Sequence, residues 1–234
     1  MLCEDQRRYL SWMQRIFIGE VWRVTKPGGF CAIVVGTVLD DGRQYPIPSD
    51  LTTRLMDGGW EFRDKITWHK CCAGVKRAGV AIQHPYPDCY YPNLMTEEIL
   101  ILRKPGEPIR NSRTIAEKQA ARFPVDELFV RDTANNIWNI APVPPGYLNH
   151  PCPFPEEIPY RLIPLYCYPN DLVLDPFCGS GQTIKVANAL GRRWVGYDIV
   201  TEYVELARRR VTEPLHLRKM QLVTRFDKVP LGVE

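Results

Sequence analysis

The sequence of 234 residues contains no apolar run that approaches the roughly 18 to 20 residues a membrane-spanning helix needs. Its first residues, Met-Leu-Cys-Glu-Asp, also lack the basic and then apolar pattern of a secretory signal peptide. There is no internal repeat and no low-complexity tract. With 45% hydrophobic and 24% charged residues, the chain is predicted to fold as a globular domain. We expect a cytoplasmic location.

The eight cysteines lack the dense, regular spacing of a secreted disulfide scaffold, so we expect them to be reduced. Five residues of the first half, His69, Cys71, Cys72, His84 and Cys89, have the side chains that bind zinc. They include neither a C-x-x-C pair nor an H-x3–5-H pair, which structural zinc sites normally contain. The spacing therefore favours loop and core roles, and no metal site is predicted.

The net charge of +3 does not by itself argue for or against nucleic acid binding. Its distribution is more informative, because six cations stand against two glutamates between positions 103 and 122. Four of these cations are candidate DNA-binding residues: Arg110, Arg113, Lys118 and Arg122. A solvated helix face explains the same pattern equally well, so both interpretations stay open at this point.

The first 104 residues alternate helical and strand patterns. Apolar residues at three- and four-residue steps predict a helix over 5–24, which Lys26-Pro-Gly-Gly29 ends. The continuous apolar run 30–36 predicts a strand that is covered on both faces. Ser49 and Asp50 are the expected caps of a short helix through Met56. Two further strands are predicted at 60–68 and 98–103, and the segment 105–145 is predicted to be an insertion rather than core.

The segment from 172 to 211 has the pattern of a βαβ-type unit. A short buried strand at 172–174 leads into the turn Asp175-Pro-Phe-Cys-Gly-Ser-Gly-Gln-Thr183 and a helix through Leu190. A second strand at 193–197 ends at Asp198, and another helix follows. Glycines at a strand-to-helix turn let backbone amides approach a ligand, while an acid after the next strand can accept ribose hydroxyls. Gly179, Gly181 and Asp198 therefore predict a nucleoside site.

Two alternatives compete with a nucleoside site. A dinucleotide-binding dehydrogenase would need a third glycine at position 184, which is Ile184, so its fingerprint is incomplete. A purely structural interpretation gives the glycines only a tight turn and Asp198 only a helix cap. The full nine-residue string is far more specific than a lone G-x-G, which favours the nucleoside site.

The string from Asp175 to Thr183 closely resembles the cofactor motif of the N4/N6 amino-methyltransferase family of DNA methylases. The segment His150-Pro-Cys-Pro-Phe-Pro-Glu-Glu157 is similar to the family's segment that closes over the methionine end of the cofactor. Gly196-Tyr-Asp-Ile199 resembles its ribose-binding strand. One departure is Gln182, where the family usually has threonine, and we expect this to be tolerated.

Other recurrent segments of that family resemble Arg23 to Gly29, Ile66 to Lys70 and Glu98 to Lys104. Because they precede the cofactor motif, the chain is similar to the permuted class in which the catalytic half comes first. The resemblance implies a catalytic half at 1–104, a target-recognition insert and linker at 105–145, and a cofactor-binding half at 146–234.

The resemblance implies an α/β, Rossmann-like methyltransferase fold with a mostly parallel sheet flanked by helices. It also implies S-adenosyl-L-methionine as cofactor, double-stranded DNA with a flipped target base as partner, and a prokaryotic or phage cytoplasm. The reaction would transfer a methyl group to N4 of cytosine or N6 of adenine. A homodimer stays open as an alternative to a monomer. The residues expected to bind the cofactor are His150, Phe154, Asp175, Phe177, Gly179, Gly181 and Asp198.

The family's catalytic tetrapeptide, Asp, Ser or Asn followed by Pro-Pro-Tyr or Pro-Pro-Trp, does not occur in this sequence. The nearest string, Val143-Pro-Pro-Gly-Tyr147, carries an inserted glycine and has no polar residue in front, so no catalytic residue is assigned. In the family, the strand bearing the tetrapeptide lies between the strands that correspond to 30–36 and 172–174. We expect an N-terminally truncated enzyme that lacks this central strand; the alternative is a non-catalytic partner subunit that binds DNA and cofactor.

Overall fold

A computed structural model describes residues 2–40, 43–70, 94–127, 129–144 and 146–217. Within these ranges no helix is both long and apolar enough to cross a membrane. The chain begins with helix α1 (Leu2–Gln14), which continues through a π-helical segment (Arg15–Val21) into α2 (Trp22–Val24). Leu10, Met13, Phe17 and Val21 are buried along one side of this helical segment. The helix predicted at 5–24 is confirmed.

The main sheet of the described residues has four strands: β1 (Phe30–Val35), β4 (Glu61–His69), β5 (Thr96–Arg103) and β6 (Ile137–Asn139). They lie side by side in the order β1-β5-β4-β6. Strand β5 is antiparallel to both β1 and β4, whereas β4 and β6 are parallel. Three of the four strands therefore run in one direction. The strands predicted at 30–36, 60–68 and 98–103 are confirmed.

Both faces of strand β5 are buried at residues 99–102, as this unbroken apolar run requires. Leu100 and Leu102 pack with α1 and with α3 (Ile47–Asp57) on one face. Ile99 and Ile101 pack on the other face against Ile158 of α5 (Glu157–Tyr166). Alternate residues of a strand point to opposite faces, so one apolar strand serves two cores.

Helix α3 begins earlier than the sequence suggested, so the prediction that Ser49 and Asp50 cap it is wrong. The N-cap position is Pro46, and Ile47 and Pro48 form the first turn. The Ser49 N–H donates to the Pro46 carbonyl at 3.0 Å. The reason is that the ring of Pro48 holds its φ angle near the helical value. Proline also has no N–H, so it fits the first turn, where N–H groups have no partner within the helix.

The segment 105–145 is not entirely outside the core, which corrects the prediction. It contains a 3-10 turn (Ile109–Ser112), helix α4 (Ile115–Ala120) and a π-helical turn (Phe129–Thr133), which expose much of their surface. Strand β6, however, pairs with β4, and the side chain of Trp138 is fully buried between the sheet and α5. The run of prolines and asparagines concealed this short strand because it spans only three residues.

A separate parallel pair, β7 (Leu172–Asp175) and β8 (Arg193–Gly196), carries helices α6 (Gln182–Ala189) and α7 (Thr201–Arg210). A small antiparallel pair, β2 (Val38–Asp40) and β3 (Arg43–Tyr45), follows β1. Among the described residues, no strand joins β7 to β1. Each of these two strands therefore has one edge without a neighbour there. The Phe30 ring of β1 lies 4.8 Å from the ring of Tyr166, the last residue of α5.

Candidate cofactor site

The turn after β7 is held by the side chain of Asp175. Its carboxylate accepts a hydrogen bond from the Phe177 N–H at 3.0 Å and another from the Thr183 side chain. Burial raises the pKa of Asp175, and these two hydrogen bonds act in the opposite direction. Asp175 therefore shapes the turn through its own hydrogen bonds and is only partly exposed to solvent.

The two glycines of the turn are required by conformation and by space. Gly179 and Gly181 have φ angles of +47° and +85°, which favour glycine. A Cβ atom on Gly179 would come within 2.6 Å of the His150 Nε2, and one on Gly181 within 2.8 Å of the Ala207 Cβ. The turn is thus covered closely by the segment around residue 150 and packed closely against α7.

Asp198 lies at the end of β8, beside this turn, and its carboxylate already makes two backbone contacts. One oxygen accepts from the Gly179 N–H and the other from the Val200 N–H, both at 2.9 Å. The second contact is to Val200, which is itself the N-cap residue of α7, so the Asp198 side chain does not cap that helix. Each carboxylate oxygen can accept a further hydrogen bond, which leaves capacity for a ligand hydroxyl.

His150 covers the turn and packs against Tyr203 of α7. Its ring lies 4.7 Å from the Tyr203 ring, and its Nδ1 accepts from the Cys152 N–H at 3.3 Å. Burial lowers the pKa of His150; the charge of Asp198 raises it and that of Arg210 lowers it. The imidazole is therefore neutral near pH 7, and it meets the turn as an uncharged ring.

Ser180 supplies the one buried hydroxyl of the turn. Its side chain is 2% exposed, and its Oγ has no hydrogen-bond partner among the residues that the structure describes. A buried hydroxyl of this kind normally has a partner. Together with the positive-φ glycines and the Asp198 carboxylate, it makes the turn a suitable place for a small polar ligand such as a nucleoside.

Phe177, predicted to bind the cofactor, lies with its ring against aromatic residues of the first helical segment. Its ring lies 5.3 Å from the Trp12 ring and 6.2 Å from the Phe17 ring, and it is 41% exposed. It therefore connects the first helical segment to the Gly-rich turn. This contact brings the two halves of the chain together at the site.

A buried polar network beside the turn was missed by sequence reasoning. Its members are Glu156, Gln182, Lys185 and Arg210, all at most 5% exposed. The available signal was Lys185, which interrupts the apolar run Ile184-Lys-Val-Ala187 on α6. Charged residues are almost never fully buried without a partner, so a lysine in such a run predicts an ion pair.

The four candidate DNA-binding cations are in different surroundings. Arg110, Lys118 and Arg122 are exposed, whereas Arg113 is half-buried. Arg113 bonds to Asp171, pairs with Glu117 at 3.2 Å and lies over the Tyr168 ring at 4.9 Å. The hydrogen bond to Asp171 is the main reason that the pKa of Arg113 is raised. Arg113 therefore ties the insert to the segment that precedes β7.

Two other features lie outside the predicted set of cofactor-binding residues, although Glu156, Gln182 and Arg210 of the buried network also line the first of them. A cleft of about 340 Å³, lined by residues that include Val143, Pro144 and Tyr147, shares no residue with the predicted cofactor set. Of the five residues considered as zinc ligands, His69 lies 2.9 Å from the Asn139 side chain, and the other four lie outside the described residues. The described part of the chain contains no group of three metal-binding side chains.

Comparison with known proteins decides the family. The sequence profile of the DNA methylase family, with its N6 and N4 members, matches residues 2–209. The chain belongs to the N6/N4 DNA methylase family. It is 29% identical over 222 residues to the type II methyltransferase M.MthZI of Methanothermobacter thermautotrophicus, covering 89% of this chain and 61% of that protein.

A second methylase relative, M.MjaI of Methanocaldococcus jannaschii, is 31% identical over 194 residues, with 77% of this chain and 60% of that protein covered. The chain thus spans about three fifths of the length of these two relatives. The Escherichia coli K12 DNA adenine methyltransferase YhdJ is 28% identical over 228 residues, which are 92% of this chain and 70% of that protein.

Solved structures of methylases have the same fold. The Thermus thermophilus DNA modification methylase TTHA0409, in complex with S-adenosyl-L-methionine, is 30% identical with a TM-score of 0.71. The match covers 89% of this chain and 78% of that one. The cytosine-N4-specific PvuII methyltransferase, 20% identical with a TM-score of 0.66 over 92% of this chain and 73% of that one, has a similar fold. The predicted Rossmann-like methyltransferase fold is confirmed.

Proposed function

We propose that this chain binds S-adenosyl-L-methionine and belongs to an enzyme that methylates the exocyclic amino group of cytosine (N4) or adenine (N6) in DNA. The observation that carries the proposal is the Gly179–Gly181 turn, closed by His150 on one side and by Asp198 on the other. Family membership and the cofactor complex of TTHA0409 support it. The names of M.MthZI and M.MjaI as type II methyltransferases favour site-specific modification.

The residues of the turn fit the proposed cofactor. The lone pairs that Asp198 retains would accept ribose hydroxyls, and the Ser180 hydroxyl is available to a polar group. The segment from His150 to Phe154 would cover the methionine end. When bound, S-adenosyl-L-methionine supplies a methyl group that its positive sulfonium makes reactive. Protein residues bind and orient the two substrates around that group.

Methyl transfer also requires acceptors for the target amino group. An amine conjugated to a base ring is a poor nucleophile, and preorganised groups aimed at the developing charge are usually the largest catalytic contribution. We therefore propose that a strand carrying an Asp- or Ser-Pro-Pro-Tyr segment must lie between β1 and β7. The support is that both strands have an edge without a neighbour among the described residues, while Trp12 and Phe177 hold the halves together.

The test measures transfer of labelled methyl from S-adenosyl-L-methionine to DNA of mixed sequence. The 234-residue chain is compared with the same chain carrying, before Leu2, a strand of about six residues that ends in Asp-Pro-Pro-Tyr. We expect transfer only with the added strand, and loss of about a hundredfold or more when its aspartate is replaced by alanine. Digestion to nucleosides then distinguishes N6-methyladenine from N4-methylcytosine.

Turnover by the unextended chain at the rate of a full-length relative would show that the acceptors lie elsewhere, with Pro144 and Tyr147 the first residues to replace. The alternative function is that of a non-catalytic subunit. It is favoured because the Gly-rich turn is complete although no catalytic residue is assigned. It predicts that the chain binds both cofactor and DNA but that the added strand produces no transfer.

A further inference from the structure

The amide of Gln182, the first residue of α6, bridges two parts of the proposed cofactor site. Its Nε2 donates to the Phe154 carbonyl at 2.7 Å, and its Oε1 accepts from the Arg210 Nη2 at 2.8 Å. Arg210 in turn donates through Nη1 to the Ser180 carbonyl. One side chain thus links the segment that covers the site to the Gly-rich turn beneath it.

Charged residues enclose this bridge. Both the Lys185 Nζ, at 2.7 Å, and the Arg210 Nη2, at 3.1 Å, bond to the Glu156 Oε1. The other Glu156 oxygen accepts from the His216 N–H at 2.7 Å. Glu213, which is partly exposed, lies 3.7 Å from both cations. The four side-chain charges balance, and they connect the covering segment, α6, α7 and the segment after α7.

Buried ion pairs contribute little net stability compared with apolar residues of the same size, because desolvation offsets their attraction. Here the ion pairs and hydrogen bonds instead fix the positions of the groups that they join, because each donor in the network has a specific acceptor. The backbone at Phe154 and the backbone at Ser180 are both fixed relative to Arg210. The network therefore determines how closely the segment 150–154 approaches the turn.

We propose that Gln182 is a positioning residue that holds the Phe154 segment closed over the amino-acid end of the cofactor, an inference that rests on the proposed function. Gln182 does not need to touch the cofactor. Threonine, which the family usually has at this position, is two bonds shorter and cannot span both the Phe154 carbonyl and Arg210. The adenosine end is held from the other side by Asp198, so it does not depend on this bridge.

The test compares two thioether ligands that differ only at one end. S-adenosylhomocysteine carries the amino-acid chain, whereas 5′-methylthioadenosine ends in a methyl group. The variant Gln182→Glu keeps the size and the Arg210 contact, but its carboxylate cannot donate to the Phe154 carbonyl at pH 8. By calorimetry we expect S-adenosylhomocysteine to bind roughly three- to tenfold more weakly, the effect of one hydrogen bond, with 5′-methylthioadenosine unchanged. Gln182→Met, which removes both hydrogen bonds, should have at least the same effect.

The matched control is Gln119→Glu, the same substitution on the exposed surface of α4, which should change neither affinity. Equal weakening of both ligands would mean that Gln182 only stabilises the fold, and unchanged affinities would mean that the bridge has no role in binding. If Gln182→Met unfolds at the assay temperature, Gln182→Glu alone decides. A parent chain that binds neither ligand overturns the proposed cofactor function itself, and this inference with it, before any variant is made.

Discussion

At the scale of single residues, Asp198 shows how one side chain can serve the fold and the ligand together. Its two oxygens bond to backbone N–H groups of Gly179 and Val200, which fixes the carboxylate beside the turn. A carboxylate fixed in this way loses little further freedom when it accepts a ribose hydroxyl. The two backbone contacts of Asp198 are therefore compatible with ribose binding by the same carboxylate.

We predict that Asp198→Ala weakens S-adenosyl-L-methionine binding roughly ten- to a hundredfold, because hydrogen bonds to a charged group are lost. Asp198→Asn keeps an oxygen that can accept from Gly179 and should have a smaller effect. Calorimetry of the three proteins measures this order. An affinity that is the same in the parent and in Asp198→Ala would exclude Asp198 as the ribose acceptor.

His150 provides a pH-dependent prediction. Because burial lowers its pKa below the usual 6.5, the folded state binds a proton less readily than the unfolded state. This contribution to stability is present above about pH 6.5 and is lost as the pH falls through the folded pKa. Since the charge of Asp198 raises the pKa, Asp198→Asn should lower it further.

The measurement for His150 is an NMR titration of its ring in the parent and in Asp198→Asn. His150→Gln identifies the resonance and should flatten the fall in unfolding free energy between about pH 7 and pH 5. A ring that titrates above pH 6.5 in the parent would show that burial does not dominate its surroundings.

At the scale of elements, the insert separates into an exposed basic surface and an anchor. We predict that Arg110, Lys118 and Arg122 face DNA, with Arg113 as the anchor beside them, and that replacing all four by glutamine flattens the salt dependence of DNA binding. Each phosphate contact contributes about 0.9 to the slope of log K against log salt. The exposed residues Arg110, Lys118 and Arg122 should account for most of the change.

The matching single variant is Arg113→Gln. It should lower the unfolding temperature, because it removes the ion pair with Asp171, and it should change the slope of log K against log salt only a little. Binding measured between low and moderate salt gives the slopes. If the variant with all four changes has the parent's slope, these residues form only a solvated face.

Strand β6 gives a second prediction for an element. Trp138 is fully buried, its Nε1 donates to the Thr133 carbonyl at 3.1 Å, and Arg161 lies over its ring at 5.1 Å. Trp138→Ala should therefore reduce the free energy of unfolding by about 3–5 kcal/mol. Its neighbour Ile137 is 54% exposed, so Ile137→Ala should change stability little. Urea unfolding of both variants checks this, and similar losses would place Trp138 outside the core.

At the scale of the whole molecule, two sheets meet without a strand between them in the described residues. Strand edges without a neighbour leave backbone groups unpaired and apolar residues accessible, and Leu172 of β7 is indeed 54% exposed. A strand placed between β1 and β7 would pair both edges. The pairing of that strand should therefore stabilise the fold whether or not the strand carries the aspartate that methyl transfer needs.

We predict that the added strand raises the unfolding temperature by about 4 °C or more, equivalent to roughly one or two kcal/mol, even when its catalytic aspartate is replaced by alanine. A control segment of the same length with proline at alternate positions cannot pair on both edges and should leave the unfolding temperature unchanged. Equal unfolding temperatures for all these proteins would mean that no strand enters the gap.

The sequence alone determined the features that depend on neighbouring residues. The apolar periods of α1 and β5 and the Gly-rich turn after β7 each follow from local conformational preferences, and the structure has them where they were predicted. The family resemblance of the string from Asp175 to Thr183, confirmed by the profile match, followed from the same short-range pattern.

Only the tertiary structure decided the contacts that join distant parts of the chain. The bridge from Gln182 to Phe154 spans 28 positions, and the bond from Arg113 to Asp171 spans 58. Whether a polar residue such as Gln182 or Arg113 faces solvent, DNA or a buried partner depends on which segments pack beside it. A local pattern carries no record of that packing, so the partners of Lys185 in the network around Glu156 and the buried position of Trp138 emerged only from the folded chain.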